Sequence, residues 1–579
     1  MKILIIVPTE GYNTNQFRFK TSSDFPTGLA YIASALKKVG HEVDGLNPNN
    51  DVSFDSPREM LKYKLRAKLG KKNYDIVCLG GICIHYSFLK SAIKLIRKES
   101  PKSLVICGGG IITNDAEFMF KALRPDFSVF GEGEETLVSL LDAIGSTHQN
   151  FENIANIGYW EEDKACFTKI SYEYGDFDER EFPDYSIFDM KDMLDHGGLH
   201  NRSLYRYTRN NPRVMPIITA VGCPFKCTFC VHDIIHQYKA RSIEKIMAEI
   251  KQMYEQYKFN VLVVLDELFG VKKEWLRSFA QELIRHKELY NWDFDWLFQT
   301  HANARLTRED LEMLKESGCF YFSYGIESTS DKVLKSMKKK IKPSQISEAI
   351  DLSREIEIGF GGNFIFGDPV EDIHTVMESL SFFEKHCLEA HVNLGVIHPY
   401  PGSKLFDDYC SENDFTDTDK INFYENIDQG YFNLTTMSDD LWALISREVF
   451  VAALLRWEKT TKAISCSREE NSPEVLWAKK DNFGVYQITV DCPYCSTTSV
   501  LRELINFTSK RRVILENSKK NKFIFNIDFD TSSHGQIFDE ISNIKKLLAR
   551  VTKNKNIDET SVIAGCPSCH RRMNIHVCE

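Results

Sequence analysis

The chain has 579 residues, of which 43% are hydrophobic and 27% charged, and it carries a net charge of −10 and sixteen cysteines. This is the composition of a soluble globular protein too long for one core, so about three domains are expected. No run of about 18 apolar residues is present, so no membrane span is expected, and the acidic balance argues against a nucleic-acid partner.

The opening MKILIIVPTE is too short in its apolar run, and lacks the small-residue cleavage site, to be a signal peptide; it reads as a buried first strand. Residues 1–145 alternate strand patterns (Lys2–Pro8, Glu42–Asn47, Tyr74–Gly80, Ser103–Cys107, Phe127–Phe130) with helix patterns at Gly28–Val39, Ser87–Lys98, Asp115–Leu123 and Glu134–Ile144. That β/α alternation indicates a doubly wound, flavodoxin/Rossmann-like parallel sheet. Ligands of such sheets sit at the carboxyl ends of strands. Here those ends are Gly80-Gly81, Gly108-Gly109-Gly110 and Gly131-Glu132-Gly133. Glycine admits either a closely approaching ligand or a tight turn, and both readings stand.

Residues 146–213 read as a connector with a small hairpin at Ile157–Tyr159 and Cys166–Ile170. Residues 214–412 return to β/α alternation, with strands at Val214–Ala220, Val261–Asp266, Trp296–Thr300, Phe320–Tyr324, Phe360–Phe366 and Val392–Ile397. Six strands and their helices predict a partial (β/α)6 barrel like part of a TIM barrel, with its site at the strands' C-terminal ends. Residues 413–579 form an α+β C-terminal domain, with a helix pattern near Ser438–Thr460 and lysine-rich runs around 509–512 and 518–522 that read as solvated surface.

Directly after the first barrel strand comes Cys223-Pro224-Phe225-Lys226-Cys227-Thr228-Phe229-Cys230. Thiolates are the natural ligands of iron–sulfur clusters, and three cysteines for four irons leave one iron open. A zinc knuckle would want a fourth ligand, for which His232 is a candidate. The Cys-x-x-x-Cys-x-x-Cys spacing with an aromatic before the third cysteine resembles the radical S-adenosylmethionine superfamily. The resemblance implies a 4Fe–4S cluster on Cys223, Cys227 and Cys230 that binds S-adenosyl-L-methionine and cleaves it reductively, with electrons from a donor such as flavodoxin or ferredoxin. It extends to later strand ends. Asp266-Glu267, Gly325-Ile326-Glu327-Ser328 and Gly367-Asp368-Pro369-Val370-Glu371 resemble the family's cosubstrate-binding segments, which makes Asp266, Glu267, Glu327, Ser328, Gly367 and Glu371 candidate contacts. Tyr324, His301 and Tyr400 are candidates to line a substrate cavity.

The N-terminal stretch resembles the cobalamin-binding domains fused to such enzymes, in Phe25-Pro26-Thr27-Gly28, in the three glycine turns and in Phe182-Pro183-Asp184-Tyr185. The resemblance makes Gly80, Gly81, Gly108, Gly109, Gly131, Glu132 and Gly133 candidate cobalamin contacts. The Asp-x-His-x-x-Gly motif that supplies a lower cobalt ligand is absent, and His85 is the nearest candidate. The implied activity is methylation of an unactivated carbon of a small-molecule or biosynthetic-intermediate substrate. Cyclisation or oxidation without methyl transfer, and a non-catalytic redox sensor, are the alternatives.

Cys492-x-x-Cys495 and Cys566-x-x-Cys569 are each spaced like half of a zinc site. Their separation of about 70 residues requires a split ribbon, with His570 or Cys578 as substitute ligands and an auxiliary cluster or redox cysteines as rivals. Clustered cysteines in a long chain imply a reducing, cytoplasmic setting, in which Cys78, Cys83, Cys107, Cys319 and Cys387 are core thiols.

Overall fold

The computed structural model describes residues 1–15, 22–49, 51, 53–147, 149–171, 175–196, 203–231, 238–427, 432–455, 459–470, 484–505 and 561–577. The chain divides into two compact units: Met1–Asp195 with Phe229–His236 and Pro399–Tyr431, and His196–Thr228 with Gln237–His398 and Phe432–Glu579.

The first unit holds β1 (Lys2–Ile6), β2 (Glu42–Leu46), β3 (Ile76–Gly80), β4 (Leu104–Gly108), β5 (Phe127–Val129), β6 (Ile157–Glu161) and β7 (Lys164–Phe167). They form one sheet in the order β2-β1-β3-β4-β5-β6-β7. The first five strands are parallel, and β6 and β7 run antiparallel. Ile3 to Ile6 of β1 are fully buried, as a central parallel strand covered on both faces must be. Among the covering helices is Pro57–Lys71, absent from the sequence reading. Ser56 caps it by accepting from the amide of Glu59, and it buries Met60, Leu61, Leu65 and Leu69.

The expected connector is part of this fold. Its hairpin extends the sheet as β6 and β7. The segment after it is tied down by the Ser34 hydroxyl donating to the carbonyl of Phe182 at 2.6 Å, by Asp184 N–H on the carbonyl of Ala30 at 3.0 Å, and by Asn47 Nδ2 on the carbonyl of Phe188 at 3.1 Å. The helix Asp417–Asn426 also belongs here and not to a C-terminal domain: Tyr424 is fully buried and donates to Asp115 at 3.2 Å.

In the second unit, β8 (Val214–Ile217) leads into a short ladder of β9 (Ala220–Val221) with β10 (Lys239–Ala240). Then follow β11 (Val261–Val264), β12 (Asp295–Thr300), β13 (Cys319–Glu327), β14 (Gly359–Phe366) and β15 (His391–Val396). β8 and β11 to β15 make an all-parallel wall in chain order with β8 and β15 at its edges, a partial (β/α) barrel. Leu204, Tyr205 and Tyr207 cluster with Val214, Val261, Phe320 and Tyr321 at the strand starts and close that end.

The last sheet consists of β16 (Thr460–Arg468), β17 (Gly484–Asp491), β18 (Thr498–Ile505), β19 (Ser561–Gly565) and β20 (Arg572–His576), in the order β18-β17-β16-β20-β19. Its core joins Ile488, Val490, Leu501, Met573 and Ile575 to Cys492, Cys566 and Cys569. His232, Cys578 and the lysine-rich runs lie outside the described residues.

Candidate active site

The cysteine loop leaves the barrel's first strand through Gly222, whose φ of +80° only glycine adopts freely. Cys227 is buried, and Cys223 and Cys230 are half-buried. Two contacts hold the loop. The amide of Thr228 donates to the carbonyl of Met337 at 3.2 Å. Phe225 stacks on His301 with ring centroids 4.5 Å apart and planes 21° apart. His301 thus supports the loop, and it is too buried to serve as an open cavity wall. Burial, aided by the charge of Lys339, pushes its pKa down to about 3, so the ring is neutral. Nδ1 accepts from the amide of Asn303 at 3.3 Å, which leaves the proton on Nε2, and Nε2 has no hydrogen-bond partner among the described residues. Three thiols on one pinned loop are a donor set that fits an iron–sulfur cluster with one open corner.

Several candidate contacts at the strand ends are occupied in bracing the barrel. The fully buried Asp266 accepts from the amide and the hydroxyl of Thr219, at 2.6 and 2.5 Å, so it ties the end of β11 to the chain after β8. Burial raises its pKa to about 7. Glu267 beside it is half-buried. Ser328 bonds Ser379 at 3.1 Å and accepts from the amide of Ser330. Glu371, buried, accepts from the amide of Gly367, and desolvation raises its pKa to about 8. Glu327 differs from these. It has a left-handed φ of +62° where the β13–β14 register shifts, and it pairs with Lys339 at 2.9 Å. A non-glycine residue held there costs about 1–3 kcal/mol and is a mark of functional sites. Tyr324 does not line the cavity: alternation turns it outward, where its hydroxyl meets the carbonyl of Ala349 and Ser353 on the helix Pro343–Ile356. Tyr400 is exposed and falls in the first unit.

The inward positions of the same strands were missed. Gln299, Ser323, Asn363 and Asn393 line a cavity of about 370 Å³ inside the barrel, floored by Leu204 and Tyr205. Asn393 donates to Asn363 at 3.1 Å, and Gln299 to the carbonyl of Asp266 at 2.9 Å. Period-two alternation would have exposed them as polar residues on the opposite face from Phe298, Phe322 and Phe364. Beside the cysteine loop a larger cleft, about 1140 Å³, is lined by Pro224 and Lys226 of that loop and by Arg305, Lys335, Lys338, Lys340 and Lys342, with Asp331 as its carboxylate.

In the first unit the glycine turns end three adjacent strands. Gly109, at φ +81°, has no room for a Cβ, which would lie 2.9 Å from the backbone of Gly81. A Cβ on Gly81 would lie 2.6 Å from His85 Nδ1, and one on Gly133 2.8 Å from Ile32. These glycines therefore serve first to let one turn pack on the next. Glu132 is paired with Arg180. His85 is buried and accepts from the amide of Ile82 at 3.1 Å through Nδ1, so that nitrogen caps its own turn. What remains at the edge is accessible backbone at Gly81, Gly108, Gly109 and Gly131 beside the 53% exposed Ile82. A bare, partly apolar shelf of this kind fits a broad flat ligand such as a corrin ring.

Comparison with known proteins agrees with both halves. Residues 23–141 match the B12 binding domain, and residues 217–383 match the radical SAM superfamily. An uncharacterized methyltransferase of Pyrococcus horikoshii is 24% identical over 79% of this chain and 93% of its own length. The anaerobic magnesium-protoporphyrin IX monomethyl ester cyclase of Cereibacter sphaeroides is 25% identical over 69% of this chain and 62% of its own. The cytidylyl-2-hydroxyethylphosphonate methyltransferase of Streptomyces wedmorensis is 24% identical over 72% and 83%. In fold, the radical S-adenosylmethionine methyltransferase TsrM of Kitasatospora setae superposes with a TM-score of 0.56 at 16% identity, over 71% of this chain and 76% of that one. The chain therefore joins a B12 binding domain to a radical SAM domain, the arrangement of a cobalamin-binding radical S-adenosylmethionine enzyme. Its cofactors are the 4Fe–4S cluster, S-adenosylmethionine and cobalamin.

Proposed function

We propose that this enzyme methylates an unactivated carbon of a small molecule held in the barrel. The observation that carries the reading is the open polar lumen of a barrel whose first-strand loop bears the cysteine triplet. When bound, the cofactors supply a hydrogen-abstracting carbon radical and a transferable methyl group. The protein's part is placement. Cys223, Cys227 and Cys230 hold the cluster by their thiolates. Gln299, Ser323, Asn363 and Asn393 offer amide and hydroxyl groups that orient polar atoms of cosubstrate and substrate, and Leu204 and Tyr205 shut the far end against water. Glu327 and Glu267 are the candidate carboxylates toward the cosubstrate. Asp266, Ser328 and Glu371 act through the shape they impose.

Electrons come from an acidic redox protein of the flavodoxin or ferredoxin kind docking on the lysine-rich cleft beside the loop, in a cytoplasmic setting. No helix among the described residues is long and apolar enough to cross a membrane.

The test is anaerobic reconstitution with S-adenosylmethionine, cobalamin and candidate substrates. The expected result is 5′-deoxyadenosine together with a product heavier by one methylene. Release of 5′-deoxyadenosine with no gain of a methylene would favour the cyclase-type alternative that the Cereibacter relative suggests. Tight binding without cleavage would refute both.

A further inference from the structure

The two Cys-x-x-Cys turns of the C-terminal sheet form a ligand set of their own. Cys492 and Cys495 follow β17, Cys566 and Cys569 follow β19, and the two turns repeat each other bond for bond. The amide of Ser496 donates to the carbonyl of Cys492 and that of His570 to the carbonyl of Cys566, both at 2.9 Å. Cys492 N–H reaches the carbonyl of Thr497, and Cys566 N–H that of Arg571, both at 3.0 Å. The amides of Tyr494 and Ser568 point at the sulfurs of Cys492 and Cys566, each at 3.4 Å. The residue after each pair is left-handed, Ser496 at φ 62° and His570 at φ 57°. Non-glycine residues rarely adopt that conformation, and here two do so at equivalent positions. Amides aimed at sulfur favour the thiolate form that binds metal.

All four sulfurs lie within 4.8 Å of one another, and the pairs Cys492–Cys569 and Cys495–Cys566 are 3.7 Å apart. A zinc–sulfur bond of about 2.3 Å in a tetrahedron puts the sulfurs about 3.8 Å apart. A disulfide would need about 2.05 Å. In a cubane each cysteine ligates a different iron, which spreads the sulfurs wider than this. We infer that Cys492, Cys495, Cys566 and Cys569 bind one tetrahedral zinc ion, which bolts the C-terminal sheet to the barrel at the end opposite the chemistry.

The second half follows from what the 566–572 turn touches. His570 Nδ1 lies 3.3 Å from the carbonyl of Glu357. A Cβ on Gly359, the first residue of β14, would lie 2.9 Å from His570 Cβ. The amide of Arg572 donates to the carbonyl of Glu389 at 2.8 Å. The ring of Tyr207 fills the place of a Gly565 side chain, 2.0 Å from where its Cβ would be. These partners stand at or just before the starts of barrel strands, the end that serves stability in (β/α) barrels while reactions occupy the other.

The test is metal analysis of the full chain purified anaerobically, alongside a Cys223→Ala/Cys227→Ala/Cys230→Ala variant that lacks the barrel cluster. One zinc per chain is expected in both, with iron lost from the variant. Cys569→Ser and Cys495→Ser should each shed the zinc and melt several degrees lower. Cys495→His, which offers a nitrogen ligand, should keep the zinc and the wild-type melting point. Cobalt substitution should give the charge-transfer absorption of a tetrathiolate. Iron persisting in the triple variant, a chain with neither metal, or zinc-free variants that melt like wild type would overturn the inference. Zinc content is independent of turnover, so a failure of the proposed methyl transfer would leave this result untouched.

Discussion

Gly367 closes β14 at φ +112°. A methyl group there would meet Trp442 Cζ2 at 2.8 Å and Ile397 Cγ2 at 2.9 Å. The Trp442 ring cannot retreat, because it is fully buried and its Nε1 donates to the carbonyl of Phe432 at 2.9 Å. Gly367→Ala therefore meets two costs: about 1–3 kcal/mol of backbone strain and about 1–3 kcal/mol of overpacking. Trp442→Ala alone leaves a cavity costing about 3–5 kcal/mol. In the double variant the new methyl group gains the space that Trp442 vacated, so the overpacking against the ring disappears while the backbone strain and the close contact with Ile397 stay. The pair should then be less destabilised than the sum of its parts by about 1–3 kcal/mol, well beyond the scatter of independent sites. Urea unfolding of the barrel transition, followed by circular dichroism on cluster-free protein, measures all three variants. If Gly367→Ala costs under about 1 kcal/mol, or if the two effects simply add, then this glycine is not there to make room for Trp442.

Other outcomes can be checked in the same way. Glu371 has a pKa near 8 in the fold against an ordinary 4.5. The folded protein thus keeps a proton that the unfolded chain releases, and the contribution of Glu371 to stability is full below pH 4.5 and is lost as pH rises through 8. Glu371→Gln should flatten that decline, stabilising the alkaline side by at most about 5 kcal/mol in pH-resolved melts; an unchanged slope would refute the assignment. His301→Ala should lower iron retained per chain by loosening Phe225, whereas His301→Phe, which keeps the stack, should retain most of it; equal iron in both would count against the loop support. Lys335→Glu/Lys338→Glu/Lys340→Glu should raise the KM for reduced flavodoxin by on the order of tenfold at low salt, while turnover driven by a chemical reductant stays unchanged. If turnover driven by the chemical reductant falls as well, the cleft serves the substrate and not the donor.

The alternation of apolar strands and amphipathic helices made both parallel sheets legible without coordinates, because burial on two faces imprints continuous apolar runs such as residues 3–6 and Val261–Val264. The helix Pro57–Lys71 escaped notice because its buried face, Pro57, Met60, Leu61, Leu65 and Leu69, is sparse amid lysines and arginines. The cysteine triplet and the paired Cys-x-x-Cys turns were equally plain, since spacing within one loop is a local property.

Local order along the chain thus made legible the domain types, the cysteine triplet and the two Cys-x-x-Cys pairs of the C-terminal sheet. Only the folded chain decided which residues around them are free to act. Asp266, Ser328 and Glu371 are consumed in bonds to Thr219, Ser379 and Gly367, partners as far as 51 residues away. Tyr324 is turned outward by one position of strand register, and the amide-lined lumen of Gln299, Asn363 and Asn393 arises from three separate strands. Motif spacing records what a loop can bind. The availability of a side chain depends on which distant groups satisfy its hydrogen bonds, and those are brought close only by the packing of the whole sheet.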